Sequence, residues 1–447
     1  MEAVLNRIFS IIFMMAIGFL AFLGGSFVIL ARIFPYEQLN NAYHAGRALY
    51  VQKTQFAEAQ ATDLYAPART TKRGSTIYER TRAQNGLTLY ASSHDQRAFL
   101  ISMEGEVVHE WHLPFSAVWD DTAAVKDPWP DSFVMWDDVY LYPNGDLLAI
   151  YVGIGDTPWG YGLVKMDKDS QVVWKYLARA HHDLDVAEDG TIYLLTHETR
   201  FDEIETAKHM APPRVDDYVV LLSPDGEELK KVSVLDALVK SPYGRLLIRV
   251  PWYATGESRT GDFTHANAVD LIGAEAAANM PFATQGQVLL SLRELDMIVL
   301  LDLDREEIVW ALRGPWLGQH DPDVLPNGNI LLFDNAGHYD DGGESRVIEF
   351  DPETLQITWS YAGDAQHPFE SIVRSGQDRL PNGNTLITES DGGRIFEVTP
   401  DGTIVWEYVN PVRGGTSDEL IPVLSRATRI DPASLDPGFP PSQVSSN

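Results

Sequence analysis

Leu-Pro-Asn-Gly occupies residues 325–328 and recurs unchanged at 380–383. Related turns end in Asn-Gly or Asp-Gly at 142–145, 187–190, 223–226 and 399–402. Such dipeptides favour two-residue hairpin turns, because both turn positions need positive φ. Short apolar runs flank the turns, as the strands of an antiparallel hairpin would. The spacing therefore predicts a succession of strand-rich repeats.

A second repeated string ends in tryptophan. It reads Gln-Val-Val-Trp at 171–174, Glu-Ile-Val-Trp at 307–310, Gln-Ile-Thr-Trp at 356–359 and Thr-Ile-Val-Trp at 403–406. Strand-rich repeats of roughly 40–50 residues are typical of β-propellers. We therefore predict an all-β fold, a six-bladed β-propeller preceded by an N-terminal transmembrane helix. Its units begin near Gly86, Asp137, His182, His265, His320 and Ser375.

The N-terminal segment is apolar. Residues 8–31 form a stretch of 24 residues without a charge, and about 20 apolar residues span a bilayer as a helix. A signal peptide has a shorter apolar core of about 7–15 residues and an Ala-x-Ala-like cleavage site. We therefore expect an uncleaved single-pass anchor. Its orientation stays open, since Arg7 precedes the segment while Arg32, Arg47 and Lys53 follow it.

The predicted domains follow from these patterns. A polar segment that includes a possible helix and a linker separates the anchor from the repeats. Residues 241–262 lengthen the third repeat, and an alanine-rich insertion at 274–283 lies in the hairpin of the fourth. The predicted boundaries are a transmembrane anchor at 1–35, a helical or linker segment at 36–85, the propeller at 86–412 and a C-terminal tail at 413–447 that packs on the propeller.

Composition excludes several classes of function. The net charge is −30, and a strongly negative surface repels phosphate, so nucleic acid is not an expected partner. The chain contains no cysteine. Disulfides, thiolate nucleophiles and zinc–thiolate sites are therefore excluded.

Polar residues share one position of the repeat. Eight residues before the turn glycines 145, 190, 273, 328 and 383 stand Asp137, His182, His265, His320 and Ser375. This position opens the first strand of each unit, and in a propeller the innermost strands surround the axis. We therefore predict that the three histidines meet at one central site.

A second shared position lies where the next strand ends. It holds His197, Arg293, Asn335 and Ser390, with Val152 as the exception. Arg293 has an alternative interpretation as an ion-pair partner of Glu294 or Asp296. The remaining histidines are expected outside the site: His181 faces away, because adjacent strand residues alternate, His109 and His112 pack against neighbours, and His338 and His367 lie in loops near the entry.

Three functions fit a cluster of three histidines and one arginine with few obvious carboxylates. The first is group transfer through a covalent histidine intermediate in a cationic, anion-binding pocket, where arginine binds sulfate, phosphate or carboxylate oxygens. The second is a histidine ring that holds iron or zinc, although the fixed cation of Arg293 disfavours it. The third is a non-catalytic, membrane-anchored scaffold that presents a binding face to a membrane complex.

Several strings resemble the arylsulfotransferase family, the aryl-sulfate sulfotransferases of the bacterial periplasm. The resemblance covers about residues 86–435, and its most specific part is His320 to Asn335. The strings are His-His-Asp at 181–183, Thr-His-Ala-Asn at 264–267, Ser-Leu-Arg at 291–293, Gly-Gln-His-Asp at 318–321, Leu-Pro-Asn-Gly-Asn-Ile-Leu-Leu-Phe-Asp-Asn at 325–335 and Leu-Ser-Arg-Ala-Thr-Arg-Ile at 424–430.

The resemblance implies a six-bladed propeller and ping-pong transfer of a sulfuryl group from a phenolic sulfate to a phenol. Neither a nucleotide sulfate donor nor any other cofactor is implied, and no metal. His320 matches the histidine that becomes sulfated, and His182, His265 and Arg293 match the other catalytic positions. We assign substrate contacts to Asn335, His197, Asp137 and Ser375. Well-studied members have a disulfide, which this chain cannot form.

The expected location is the bacterial inner membrane, with a single-pass N-terminal anchor and the propeller in the periplasm. The expected partners are a phenolic sulfate, a phenol and the membrane. A homo-oligomer or membrane-protein partners are further possibilities.

Overall fold

The structure is a computed structural model that describes residues 2–31, 33–36, 58–210, 212–249, 261–336 and 345–440. The chain divides into two units, Met1–Ala61 and Thr62–Asn447. Most of the predicted helical part of 36–85, residues 37–57, lies outside the described range, and so does His338.

The first unit contains helix α1 (Glu2–Ala31). Within it, the 26-residue segment Asn6–Ala31 is strongly apolar on average, and its most apolar stretch is not buried by protein. At about 1.5 Å per residue such a helix exceeds the roughly 30 Å of a hydrocarbon core. The helix is therefore a candidate membrane span, as the sequence predicted.

The second unit contains six antiparallel sheets of four or five strands, which confirms the predicted six-bladed propeller, and a two-stranded sheet of Tyr65–Pro67 with Leu420–Pro422. Of the short helices that the structure describes, α2 (Phe115–Val118) and α3 (Val234–Lys240) connect successive blades, and α4 (Ala274–Asn279) lies in the alanine-rich insertion within the hairpin of the fourth blade. The strands are β1 (Tyr65–Pro67), β2 (Gly74–Tyr78), β3 (Leu87–Ala91), β4 (Arg97–Ile101), β5 (Val107–His112), β6 (Val134–Leu141), β7 (Leu147–Gly153), β8 (Gly160–Met166), β9 (Val172–Tyr176), β10 (Ala180–Val186), β11 (Ile192–Arg200), β12 (Arg214–Leu222), β13 (Glu228–Ser233), β14 (Ala266–Leu271), β15 (Val288–Leu292), β16 (Met297–Asp302), β17 (Glu307–Arg313), β18 (His320–Val324), β19 (Ile330–Asp334), β20 (Arg346–Phe350), β21 (Ile357–Tyr361), β22 (Gly376–Arg379), β23 (Thr385–Glu389), β24 (Arg394–Val398), β25 (Ile404–Val409), β26 (Leu420–Pro422) and β27 (Thr428–Ile430).

Both ends of the second unit close the ring. Blade 1 has the order β27-β3-β4-β5, so its innermost strand comes from the C-terminal segment. Blade 6 has the order β22-β23-β24-β25-β2, so its outermost strand comes from the N-terminal side. The predicted limits of 86 and 412 therefore leave out two strands of the propeller. Both are short and pair with strands distant in sequence, so no local turn signal marks them.

Tryptophans fasten four of the six blades to the next one. The indole of an outer-strand tryptophan donates a hydrogen bond to a turn carbonyl of the following blade, which satisfies its N–H group while the ring packs. The pairs are Trp111 with Gly145 (3.1 Å), Trp174 with Pro224 (3.0 Å), Trp359 with Pro400 (3.0 Å) and Trp406 with Met103 (2.8 Å). Three of the four repeated strings, those that end in Trp174, Trp359 and Trp406, thus end in a blade-to-blade contact. Trp310, in the fourth string, instead stacks on Phe282 of its own blade.

Carboxylates make a second set of contacts near the axis. An inner-strand aspartate of one blade accepts a backbone N–H of the next blade's inner strand. The pairs are Asp137 with His182 (3.1 Å), Asp183 with Val269 (2.8 Å), Asp270 with Val324 (2.8 Å) and Asp321 with Gln377 (2.8 Å). These bonds satisfy backbone groups that the innermost edge would otherwise leave without partners.

Arg426, two residues before β27, supplies a positive charge among these carboxylates. Its guanidinium lies 3.2 Å from Asp321, 3.5 Å from Asp323 and 2.7 Å from Asp378. These carboxylates raise the pKa of Arg426 although burial opposes them. The segment that contains Arg426 and β27 therefore completes the sheet of blade 1 and also neutralises carboxylates at the axis.

We predict that Arg426→Met destabilises the full-length protein by about 3–5 kcal/mol, because it leaves buried carboxylates without their cation. The deficit should be larger near pH 8 than near pH 5, because burial raises the pKa of Asp321 to about 6 and that of Asp323 well above its usual range, so both ionise as the pH rises. Thermal unfolding in detergent at both pH values measures it. The control is Arg80→Met, which breaks an exposed pair with Glu104. Equal small losses in both variants would contradict the role of Arg426.

Candidate active site

The shared polar position coincides with an interruption of the inner strands. In blades 2 to 5 the pairing register shifts at this point, between Trp136 and Val139, Ala180 and Leu184, Ala266 and Ala268, and His320 and Asp323. A β-bulge of this kind turns a side chain away from the regular alternation. His182 and His265 have φ of 56° and 46°, a region that costs non-glycine residues of the order of 1–3 kcal/mol. Strain is thus concentrated where the histidines lie.

His320, the first residue of β18, is held in one tautomer. Its Nδ1 lies 2.7 Å from Oδ1 of Asn335 and 3.0 Å from the carbonyl of Gly318. Asn335 is oriented by its own Nδ2, which donates to the carbonyls of Ser371 (2.8 Å) and Arg374 (2.9 Å). Since both partners of Nδ1 are acceptors, Nδ1 carries the proton. The lone pair of the neutral ring is therefore on Nε2.

The imidazole of His320 stays neutral over the physiological range. Burial, followed by the nearby charge of Arg293, lowers its pKa to about 3. The backbone N–H of Arg374 lies 3.3 Å from Nε2. His320 therefore presents an unprotonated nitrogen at neutral pH.

His182 and His265 approach each other as the sequence predicted. Their ring centroids are 4.9 Å apart, and Trp159 contacts both, at 5.8 Å and 5.0 Å between centroids. His265 is 8% exposed, and its Nδ1 is hydrogen-bonded to Oδ2 of Asp262. A carboxylate on Nδ1 orients an imidazole and stabilises its protonated form. The geometry gives His265 the features of a general acid and base.

A small cavity of about 40 Å³ lies between His182 and His320. Such a volume holds a few water molecules. Its walls include both His182 and His320, and His265 and Arg293 stand outside its lining. The lining residues are Asp137, Asp138, His182, Asp183, Asn267, His320, Asp321, Arg374, Ser375, Ser425 and Arg426.

The predicted cationic pocket with few carboxylates is wrong. Four aspartates line the cavity together with two arginines, because the inner strands use aspartates to bind the next blade. Burial raises the pKa of Asp138 to about 7 and of Asp321 to about 6, and it raises the pKa of Asp183 well above its usual range. Several carboxyl groups therefore carry a proton near neutral pH, which reduces the negative charge around an anion.

The other predicted residues have different surroundings. Arg293 pairs with Glu294 at 3.0 Å, the alternative noted from the sequence, and its Nε is buried without a hydrogen-bond partner among the described residues. Asp137 and Ser375 line the cavity, whereas His197 does not. His109 packs against Trp111, and His367 is exposed in a loop.

The expectation that His181 faces away from the site is wrong. Its Nδ1 lies 2.7 Å from Nδ1 of His182, and its ring stacks on His197 at 4.4 Å. The bulge in β10 removes the alternation on which the expectation rested.

Sequence reasoning missed Trp159, Asp262, Arg374 and Arg426. Arg374 directly precedes Ser375, and Arg426 lies in the quoted string at 424–430, so both carried a positional signal. Trp159 and Asp262 lie in connections between strands, where no repeat register applies.

Metal binding is poorly supported by the donor atoms. Among the described residues, His181, His197 and Asp217 bring possible ligand atoms within 4.8 Å of one another. The backbone N–H of Gly160, however, donates to Nε2 of His197 at 3.1 Å. Nδ1 of the neutral ring therefore carries a proton and offers no lone pair to a metal.

The sequence model of the family described as Arylsulfotransferase (ASST) matches residues 139–411, more than half of the chain. The chain belongs to the arylsulfotransferase family. The family match includes His182, His265, Arg293 and His320, and Asp137 lies just before it. No curated protein matches the chain.

Solved structures with a similar fold are distant from this arylsulfotransferase-family chain. A protein of unknown function from Bacteroides caccae is 13% identical, covers 78% of this chain and 99% of its own, and has a TM-score of 0.49. A catalytically inactive virginiamycin B lyase from Staphylococcus aureus with quinupristin is 10% identical, with coverages of 81% and 96% and a TM-score of 0.40. The WD40 β-propeller domain of Doa1 is 12% identical, with coverages of 81% and 96% and a TM-score of 0.39. These values are too low to inform the site.

We predict that Asn335→Ala lowers the free energy of unfolding by about 1–3 kcal/mol, because two buried carbonyls and Nδ1–H of His320 lose a partner. Asn327→Ala in the same blade is the control, since its side chain accepts a single bond from an exposed backbone N–H and water replaces it. Urea unfolding measures both. A loss at Asn335 no larger than that at Asn327 would refute the role of the amide.

Proposed function

We propose that this protein transfers a sulfuryl group from a phenolic sulfate ester to a phenol through a covalent intermediate on Nε2 of His320. The observation that carries the proposal is the tautomer of His320. Asn335 and Gly318 hold the proton on Nδ1, so Nε2 is unprotonated, and a neutral imidazole of this kind is a nucleophile. Nε2 accepts a long hydrogen bond of 3.3 Å from the backbone N–H of Arg374, which the attack on sulfur replaces. Membership of the arylsulfotransferase family supports the reaction class.

In the first half-reaction Nε2 of His320 attacks sulfur and an S–N bond forms. The S–O bond to the donor phenol breaks, and the leaving phenolate takes a proton from His265. In the second half-reaction the acceptor phenol gives its proton to His265 and its oxygen attacks sulfur. The S–N bond then breaks and Nε2 regains its lone pair. Asn335 stabilises the positive ring of the intermediate, because its Oδ1 accepts Nδ1–H.

Five neighbouring side chains take the supporting roles. Arg293 and His182 bind the sulfuryl oxygens, as donors placed where charge is held during transfer. His265 moves the phenolic proton, and its bond to Asp262 supports that role. Asp137 and Ser375 line the cavity and contact the transferring group.

The cavity limits what enters it. Its volume of about 40 Å³ suits the sulfuryl group and not the aromatic ring. The ring of the substrate then lies outside, where Trp159 next to His265 offers an aromatic face. Helix α1 anchors the enzyme in the bacterial inner membrane, with the propeller in the periplasm.

We predict that His320→Asn lowers the release of nitrophenol from 4-nitrophenyl sulfate by about a thousandfold or more, because the nucleophile is lost. Peptide mapping of the wild type after brief exposure to the donor should find one sulfuryl group on His320. The control is His367→Asn in an exposed loop. A wild type that forms neither product nor modified His320, while its deletion disrupts a membrane complex, would favour the scaffold instead.

His265→Asn should slow transfer by about 10²–10⁴-fold, the usual contribution of a general acid or base. The loss should shrink for acceptor phenols of lower pKa, because these need less help to lose a proton. Rates with a series of substituted phenols measure this dependence. A loss that is the same for every phenol would remove His265 from proton transfer.

A further inference from the structure

Behind His182 lies a chain of polar atoms that the proposed reaction does not use. Nδ1 of His182 faces Nδ1 of His181 at 2.7 Å, and Nε2 of His181 faces Oδ1 of Asp217 at 3.5 Å. His181 and Asp217 are both fully buried. Among the described residues, neither Nε2 of His181 nor Oδ1 of Asp217 has a hydrogen-bond partner. Nδ1 of His197, in the same cluster, is also buried without a partner among these residues. The 3.5 Å between Nε2 of His181 and Oδ1 of Asp217 is close to hydrogen-bonding distance, and catalytic hydrogen bonds often shorten when substrate binds.

Asp217 is fixed by its other oxygen. Oδ2 accepts from the hydroxyl of Thr264 at 2.6 Å and from the backbone N–H of Ala266 at 2.8 Å. His197, directly opposite Asp217 on β11, stacks on His181 and holds its ring in place. The chain Asp217–His181–His182 is therefore anchored at its buried end and opens into the cavity at the other.

We propose that Asp217 and His181 form a proton relay that decides whether Nε2 of His182 donates or accepts a hydrogen bond in the cavity. One proton is shared between the two facing Nδ1 atoms, so the tautomers of the rings are coupled. This inference deepens the proposed function, since it concerns the residue assigned to a sulfuryl oxygen.

With Asp217 protonated, its O–H donates to Nε2 of His181. Nδ1–H of His181 then donates to Nδ1 of His182, and Nε2 of His182 carries a hydrogen that faces the cavity. With Asp217 ionised, His181 keeps its hydrogen on Nε2, His182 keeps its hydrogen on Nδ1, and the cavity meets a bare lone pair. Only the first arrangement donates to a sulfuryl oxygen. Asp217 and His181 are thus positioning residues that act through His182.

The surroundings of Asp217 bring its ionisation close to neutral pH. Burial, followed by the charge of Asp262, raises the pKa of Asp217 to about 7. The groups that face the relay are His265, which lowers the pKa of both His181 and His182, together with His197 and His320 beside His182. Both histidines of the relay stay neutral, because burial lowers their pKa values, so a change in Asp217 moves their protons without charging them.

Asp217→Asn is the sharp test. The two donors at Oδ2 hold the amide oxygen there, so the NH₂ group points at Nε2 of His181 and fixes the donating arrangement of His182. The experiment uses the full-length protein labelled with ¹⁵N-histidine, and the ring resonances of His182 are identified by their loss in His182→Gln. In the wild type, the hydrogen of His182 should move from Nε2 to Nδ1 as the pH rises through about 7.

In Asp217→Asn the ring hydrogen of His182 should stay on Nε2 over the whole pH range. His181→Gln should also abolish the change of the His182 tautomer with pH. The control is Asp225→Asn, an exposed turn residue of the same blade, which should behave as the wild type. A His182 tautomer that does not change in the wild type, or that changes equally in Asp217→Asn, overturns the relay.

Kinetics separate this inference from the proposed function. The burst of nitrophenol from 4-nitrophenyl sulfate should fall by about tenfold for each pH unit above the wild-type transition, and Asp217→Asn should lack this decline. A relay seen by NMR in a protein without any burst would leave the relay standing and remove the sulfotransferase. A burst with the same alkaline decline in both proteins would remove the relay and leave the sulfotransferase.

Discussion

The guanidinium of Arg426 is the contact on which the axis of the propeller depends. Inner-strand aspartates accept hydrogen bonds from backbone N–H groups of the next blade. These groups would otherwise lack partners, but the arrangement crowds carboxylates around the axis. Arg426 faces three of them within 3.5 Å. Arg426 lies in the same segment as strand β27, which completes blade 1. One segment of the chain therefore both closes the ring and neutralises carboxylates at its axis.

Burial also shifts the pKa values of the ionisable groups in the candidate site. Histidines 181, 182, 197 and 320 have lowered pKa values, and aspartates 138, 183, 217 and 321 have raised ones, with burial as the first cause in each case. The two sets have opposite effects on stability. The histidines bind protons only after unfolding, so they reduce stability as the pH falls below about 6.5. The aspartates bind protons more readily when folded, so they add stability as the pH falls from about 7 toward 4. The effects offset each other around mildly acidic pH.

The number of blades and the convergence of the three histidines could be predicted from the sequence, because both depend on local signals. Asn-Gly and Asp-Gly turns fix the register of a hairpin, and counting back from their glycines located His182, His265 and His320. The closure escaped prediction, since β2 and β27 pair with strands more than 300 residues away in the chain. The position of His181 escaped for a different reason, because a bulge breaks the alternation that sequence patterns assume. The aspartates were visible as residues, but their crowding at the axis appears only when six inner strands face one another.

The closure also sets an order of events for the newly made chain. His182, His265 and His320 come earlier in the chain than the segment that closes the ring. Arg426 and β27 are synthesised only after every other blade. Until they arrive, blade 1 lacks its inner strand and the axial carboxylates lack their cation. A chain interrupted before Arg426 would therefore retain His182, His265 and His320 and still lack both the inner strand of blade 1 and the cation at the axis.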